Sequence, residues 1–543
     1  MKSTPLYATL ASGALLLGTP FTQALAADAD PAQQCAALRD VPLYHTTLTR
    51  VEWVADGTIA ADPNSAFTGT TVRDVKAGPH CLVQGEIEPR TGVDGKHYGI
   101  NFQLRLPQDW NGKFLFQGGG GANGFVAPAL GSIPVQASSA TPALLRGYAV
   151  VSMDSGHQGS TPNLPAVFDV AFAADQQARL DYAYAAIGKV TERAKQLVQA
   201  NYRSAPKHSY YMGCSTGGRE SMIAAQRYPN EFDGVVVGNA AFRLSRATLG
   251  GTWNYQHLMA AAPKNAQGQK ILARALTQKD LDAVVKGVLK RCDAKDGVAD
   301  GIVNAWESCD FKPEMVQKEI GAKKVALLKA IFGGAKNSRG EALYAGFPFD
   351  TALGEPSWRE WWLGTDASVP VNTSNNILTI PLLTHYFMQP YSTTRDALKF
   401  DFDRDVASTL NTRGLNDGDS PNLKTFKANG GRMIIFDGAS DPIFSAFDQR
   451  DWYRAMHETT GDAQSFARLF IVPGMTHCGG GRALDDFDPL TALEQWREEG
   501  KAPAHLLAKG EAFPGKSQPI CAYPTVTTYV GGDVNRPESY ACK

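Results

Sequence analysis

Apolar residues fall into two rhythms along the chain. Tyr98 to Leu106 alternates, with Ile100, Phe102, Leu104 and Leu106 on one face, which predicts a half-buried strand. Lys113–Gln117, Tyr148–Met153, Ser209–Met212 and Gly234–Gly238 are short apolar runs, the pattern of strands buried on both faces. A helical period separates them. Leu180, Ala183, Tyr184, Ile187, Val190, Ala194, Leu197 and Val198 share one face of a helix expected from about Asp175 to Ala200, and another helix runs through Met222 to Arg227. Strands and helices alternating from about 113 to 238 imply a mostly parallel sheet covered on both faces. From about Ala241 to Pro421 helical stretches and irregular loops replace this alternation. Thr277 to Asp280 reads there as a capping box opening an amphipathic helix with Leu281, Val284, Val285, Val288 and Leu289. Apolar strands return at Met433–Phe436 and Arg468–Val472. The expected architecture is α/β, a mostly parallel central sheet interrupted by a large inserted lid. The expected segments are 1–26 (a leader), 27–240 and 422–543 (two parts of the sheet domain) and 241–421 (the lid).

Candidate chemistry sits just after the predicted strands. Gly213-Cys214-Ser215-Thr216-Gly217 places a serine between glycines on a strand-to-helix turn, the nucleophile elbow G-x-S-x-G of the α/β-hydrolase fold. The turn would lift the Ser215 hydroxyl clear of the sheet and set the Thr216 N–H at a helix N-terminus, where negative charge is stabilised. The pentapeptide alone is a weak signal, because glycine-rich turns before helices are common. Gly118 to Gly121 follows the 113–117 strand as an oxyanion loop would; a linker or a phosphate loop is the alternative, but no G-K-[ST] follows. An alcohol needs a base within reach, and the base needs an orienting carboxylate. Ser215, Asp441 and His477 occur in the order Ser…Asp…His, each beyond a predicted strand. Asp437 competes as the acid, but the H/D-G-x-x-D shape of the loop favours Asp441. Among the other histidines, His157 is a candidate for lining the pocket, and packing accounts for most of the rest.

Composition narrows the setting. The chain has 543 residues, enough for a large core, and a formal charge of -1, which gives no electrostatic case for nucleic acid or an anionic membrane. Lys2, the apolar run Leu6 to Leu17 and Ala24-Leu25-Ala26 form a signal peptide with cleavage expected after Ala26. No later stretch is long and apolar enough to span a bilayer. The mature chain is therefore expected to be secreted or periplasmic, where disulfides form. All eight cysteines lie beyond the cleavage site, and counting alone leaves 105 pairings open. Cys214 precedes Ser215 and Cys478 follows His477, so if serine and histidine meet, these two sulfurs are close enough to bridge; free thiols or other partners are the alternative.

The Cys-Ser…Asp…His-Cys arrangement resembles the tannase/feruloyl esterase family. The resemblance runs through Gly118–Gly124, Gly213–Glu220, Trp358–Gly364, Asp437–Ser445 and Pro473–Gly480. It extends to bacterial members that hydrolyse mono(2-hydroxyethyl) terephthalate. It implies an α/β-hydrolase fold with a lid, a Ser215–Asp441–His477 triad and an oxyanion hole from the backbone N–H groups of Gly121 and Thr216. It also implies disulfides Cys35–Cys81, Cys214–Cys478, Cys292–Cys309 and Cys521–Cys542.

Cys292 to Ile302 carries three aspartates among glycines, a composition suited to a hard cation, although neither the spacing nor a closing Glu makes it an EF-hand, and a plain polar turn is the alternative. The resemblance implies a structural Ca2+ in the lid, held by the Asp293, Asp296 and Asp300 side chains and the Val298 and Ile302 carbonyls.

The expected activity is a carboxylic ester hydrolase acting on a small aromatic ester. Terephthalate monoester hydrolases in the family use a lid arginine, and Gly364 to Pro390 has none. That favours uncharged feruloyl-type hydroxycinnamic acyl groups, with tannin acyl hydrolase or mono(2-hydroxyethyl) terephthalate hydrolase activity as alternatives. A different class of answer is an inactive binding protein on the same fold. Trp358, Trp361 and Trp362 are candidates for lid core or for stacking on substrate.

Overall fold

The computed structural model describes residues 30–543; the expected signal peptide and its expected cleavage site lie outside the described residues. Nine strands form the main sheet: β1 (Thr46–Val54), β2 (His80–Thr91), β3 (His97–Pro107), β4 (Lys113–Gln117), β5 (Ala149–Met153), β6 (His208–Cys214), β7 (Gly234–Gly238), β8 (Arg432–Gly438) and β9 (Ala467–Val472). Their spatial order is β1-β2-β3-β5-β4-β6-β7-β8-β9. Every pairing from β5 to β9 is parallel, and β1, β2 and β3 extend the sheet antiparallel at one edge. β1 and β2 have no counterpart among the strands expected from the apolar pattern. β3 is buried along nearly its whole length rather than on one face, because β2 and β5 flank it and helices cover it.

Alternation along each strand divides the core. Tyr211, Val235, Val237, Ile435 and Leu469 face one layer, packing with Ile187, Leu197, Met222 and Trp452. Tyr210, Met212, Val236, Ile434 and Phe470 face the other, packing with Leu490, Leu493 and Trp496. The expected long helix begins at Asp175, whose carboxylate caps the Ala178 N–H. It passes through a π turn at Asp181–Ala185 and continues as α1 (Ala186–Tyr202). α2 (Thr216–Arg227) leaves directly from the end of β6.

Between β7 and β8 the chain adds helices and loops but no strand to the main sheet. Its core is separate: Leu281, Val284 and Val288 of α3 (Gln278–Cys292) pack with Leu328, Trp358 and Trp362. The Thr277–Asp280 capping box opens α3. The disulfides are Cys35–Cys81, Cys214–Cys478, Cys292–Cys309 and Cys521–Cys542, which uses all eight cysteines.

Candidate active site

The parallel strands β6, β7, β8 and β9 are neighbours, and the polar side chains of the site leave from their C-terminal ends. At Ser215 the backbone has φ 62° and ψ -123°, a conformation a non-glycine residue holds only when its surroundings impose it. They do: the Ser215 N–H donates to the Gly238 carbonyl at 3.0 Å, and the Ser215 carbonyl accepts from the Arg219 and Ala241 N–H groups at 3.0 Å each. The flanking glycines answer to close packing. A Cβ on Gly213 would lie 2.6 Å from the Gly217 carbonyl carbon, and one on Gly217 would lie 2.7 Å from the Gly119 oxygen.

His477 follows β9, and its Nδ1–H donates to Asp441 Oδ2 at 2.8 Å. The Asp441 side chain is wholly buried. Its Oδ1 accepts from the Ile443 and Phe444 N–H groups at 2.7 and 3.1 Å, and its Oδ2 also accepts from Asn239 Nδ2 at 2.8 Å. The competing acid, Asp437, lies within β8 and meets Asn239 Nδ2 at 3.0 Å instead of the imidazole. Burial and the neighbouring Asp441 charge push the Asp437 carboxyl well above the usual range. Burial thus favours the protonated form of Asp437, whereas Asp441 is supplied with donors.

Ser215 and His477 line one cavity of about 540 Å³ at the junction of sheet and lid. The Cys214–Cys478 disulfide, with Cα atoms 6.0 Å apart, ties the residue before Ser215 to the residue after His477. Gly121 and Thr216 line the same cavity. Gly121 has φ 56°, and a Cβ there would fall 2.1 Å from Val167 Cγ2, so only glycine fits. Its carbonyl accepts from the Thr216 hydroxyl. Among the described residues neither the Gly121 nor the Thr216 N–H has a protein acceptor. The arrangement gathers a hydroxyl, an imidazole backed by a carboxylate, and two unused N–H donors, the parts an acyl transfer needs.

Some contributors gave no clear signal in the sequence. Asn239 binds both aspartates; its one hint is that it follows β7 at the same sheet edge. Asp350, from the inserted segment, accepts from the Ser440 hydroxyl at 2.9 Å and the Gly474 N–H at 2.7 Å, joining the acid loop to the histidine loop. His157 is not on the cavity wall: it is buried, stacks on Phe172 and donates Nε2–H to the Ala122 carbonyl at 2.9 Å. The three tryptophans divide, Trp358 and Trp362 into the lid core and Trp361 onto the cavity.

The Asp293–Ile302 loop lies apart from these groups. Asp293 accepts from the Gly301 N–H at 3.1 Å, Asp296 from Asn304 at 3.0 Å, and Asp300 from the Lys516 ammonium at 2.7 Å. Burial, with the Asp300 charge adding to it, raises Asp293, and the same causes bring Asp296 to about 6. Three carboxylates against one ammonium leave negative charge in excess, which suits a divalent cation. Among the described residues no three His, Cys, Asp or Glu side chains are gathered to hold a metal by themselves, so such an ion would need carbonyl ligands as well.

A mostly parallel sheet carrying a strained serine elbow, with a histidine–aspartate pair on later strands, defines an α/β hydrolase. The chain belongs to the tannase and feruloyl esterase family of ester hydrolases: the family profile described as "Tannase and feruloyl esterase" matches residues 81–543. It is 36% identical to a mono(2-hydroxyethyl) terephthalate hydrolase of Piscinibacter sakaiensis, covering 85% of this chain and 84% of the relative. It is 26% identical to a probable feruloyl esterase of Arthroderma benhamiae, covering 82% and 84%. Feruloyl esterase B from Aspergillus oryzae superposes with a TM-score of 0.76 at 22% identity, covering 95% of this chain and all of that one (100%).

Proposed function

We propose that this protein is an exported serine esterase that cleaves esters of hydroxycinnamic-type aromatic acids through an acyl-enzyme. The observation that carries the reading is the 2.8 Å bond from the buried Asp441 to His477, which lines the cavity that Ser215 also lines. In this mechanism His477 takes the Ser215 proton, and Ser215 attacks the ester carbonyl. The Gly121 and Thr216 N–H groups receive the oxyanion, each such donor being worth roughly 3 kcal/mol. His477 then protonates the departing alcohol, and water, activated by the same imidazole, releases the acid. Asp441 holds the imidazole in the tautomer that leaves Nε2 free to accept.

The cavity wall bears on the acyl group. Phe67, Phe168, Trp361 and Phe444 line it, a wall suited to an aromatic ring. Galloyl esters are the second reading, since a galloyl group is also an uncharged phenol; terephthalate monoester hydrolysis, the activity named for the Piscinibacter relative, is the third. An inactive binding protein would have no need of a strained serine or of an imidazole held by a carboxylate. Disulfide bonding of every cysteine supports export. Among the described residues no helix is long and apolar enough to cross a membrane.

We also assign the Asp293–Ile302 loop as a structural Ca2+ site, with Asp293, Asp296 and Asp300 carboxylates and the Val298 and Ile302 carbonyls as ligands. A bound ion would supply charge neutralisation within the lid and no chemistry at Ser215.

The test of the esterase is Ser215→Ala, assayed on methyl ferulate and a simple aryl ester. Both activities should vanish while the thermal midpoint holds. Turnover that survives the substitution rules the mechanism out.

A further inference from the structure

Glu220 sits on α2, five residues beyond Ser215, and is 1% exposed. Leaving a carboxylate there is costly unless donors surround it. Four do. Oε2 accepts from the Gly119 N–H at 2.9 Å and from the Tyr211 hydroxyl at 3.0 Å. Oε1 accepts from Asn123 Nδ2 at 2.8 Å and from the Ser155 hydroxyl at 3.2 Å. Burial, and next the Glu220 charge, push the Tyr211 hydroxyl well above its ordinary value, so it keeps its proton and remains a donor. Among the described residues Glu220 has no ion-pair partner.

The placement of these donors is informative. Gly119 and Asn123 stand two residues before and two residues after Gly121. One carboxylate therefore grips the glycine loop on both sides of its unused N–H. It does so from the helix whose first residue, Thr216, supplies the other unused N–H. A second tie runs the opposite way, from the Gly217 N–H to the Gly119 carbonyl at 3.1 Å. An apolar side chain at position 220 would fill the space without desolvating a charge, but it would leave the Gly119 N–H and the Asn123 amide without their acceptor.

The geometry points to Glu220 as the positioning residue of the oxyanion hole. It fixes the spacing between the Gly121 and Thr216 N–H groups before substrate arrives. The assignment rests on the acyl-enzyme reading above and adds to it a residue that touches neither substrate nor the reacting atoms. An oxyanion site works because its donors are already in place when charge develops, so a displaced loop costs the transition state more than the bound ester.

The experiment compares methyl ferulate with its thionoester, in which sulfur replaces the carbonyl oxygen and draws much less on the two N–H donors. Active serines are counted with a fluorophosphonate, so that misfolded enzyme does not enter the rates. Glu220→Gln keeps the size of the side chain but turns an amide NH2 toward donors. It should lower kcat on the ester by about 10- to 100-fold with KM changed less than threefold. The ester-to-thionoester ratio of kcat should fall at least tenfold. Tyr211→Phe removes one donor to Oε2 and should move the ratio in the same direction by a smaller factor; it decides the question if Glu220→Gln does not fold. A ratio equal to wild type in the folded variants overturns the assignment and leaves Glu220 as packing alone. Failure of the wild-type enzyme to cleave either compound would instead strike at the esterase reading.

Discussion

Cys214 and Cys478 are bonded to each other, and each is the chain neighbour of a residue on the reactive cavity, Ser215 and His477. The link spans 264 residues, so the chain-entropy account gives it on the order of 5 kcal/mol of stability. It also ties together the two backbone segments that carry Ser215 and His477 to one cavity. Replacing both cysteines by serine should lower the thermal midpoint and cut kcat per active site. Equal midpoint and kcat in the double variant would show the bond to be incidental.

The two aspartates beside Asn239 should behave oppositely. Asp441→Asn removes the charge that steadies the imidazolium and favours the wrong tautomer, a change worth about 10⁴ in kcat for triads of this kind. Burial and the Asp441 charge favour protonation of Asp437, which does not meet the imidazole, so Asp437→Asn should stay within about tenfold of wild type. Steady-state rates on one ester distinguish them, and a reversed order would transfer the role of acid to Asp437.

His157 gives a pH signature of stability. Burial depresses it from 6.5 to about 4, so the folded state holds it neutral while the unfolded chain protonates it earlier. Its contribution is complete above pH 6.5 and is lost as pH falls toward 4, on the order of 3 kcal/mol in all. Denaturant melts of wild type and His157→Phe should converge as the pH drops through this window. Parallel curves would mean that the histidine is not neutral in the fold.

Chelation tests the lid ion. EGTA should lower the thermal midpoint, added Ca2+ should restore it, and Asp296→Ala should abolish the response, all without changing the initial rate at low temperature. An unresponsive wild-type midpoint would remove calcium from the account.

Glu355 and Glu360, which line the cavity, should discriminate by charge. Replacing both by glutamine should raise kcat/KM for mono(2-hydroxyethyl) terephthalate relative to methyl ferulate, by about tenfold at low ionic strength and less in salt. No change in that ratio would place the acyl carboxylate away from these residues.

The sequence disclosed the parallel strands because each is a short apolar run ended by a loop with distinctive chemistry. Ser215 and His477 were readable for the same reason: they stand just past such runs, beside cysteines. The edge strand β1 and its neighbour β2 escaped because both mix polar and apolar residues and pair through backbone bonds that leave no composition signal. Asn239, Asp350 and Glu220 escaped because an amide or a carboxylate is placed by tertiary contacts with residues remote in the chain, as with Asp350 and Gly474, 124 residues apart. His157 was misplaced because nearness to a strand end does not reveal which way a ring turns.

Cysteine connectivity has a consequence for manufacture of the enzyme. If the chain is exported as proposed and threads into an oxidising compartment, Cys214 meets Cys292 and Cys309 long before Cys478 exists on that side, yet Cys292 and Cys309 belong to each other. Oxidation in order of arrival would trap Cys214 with the wrong mate. A host with a disulfide isomerase should therefore yield active enzyme where one with only an oxidase yields scrambled product.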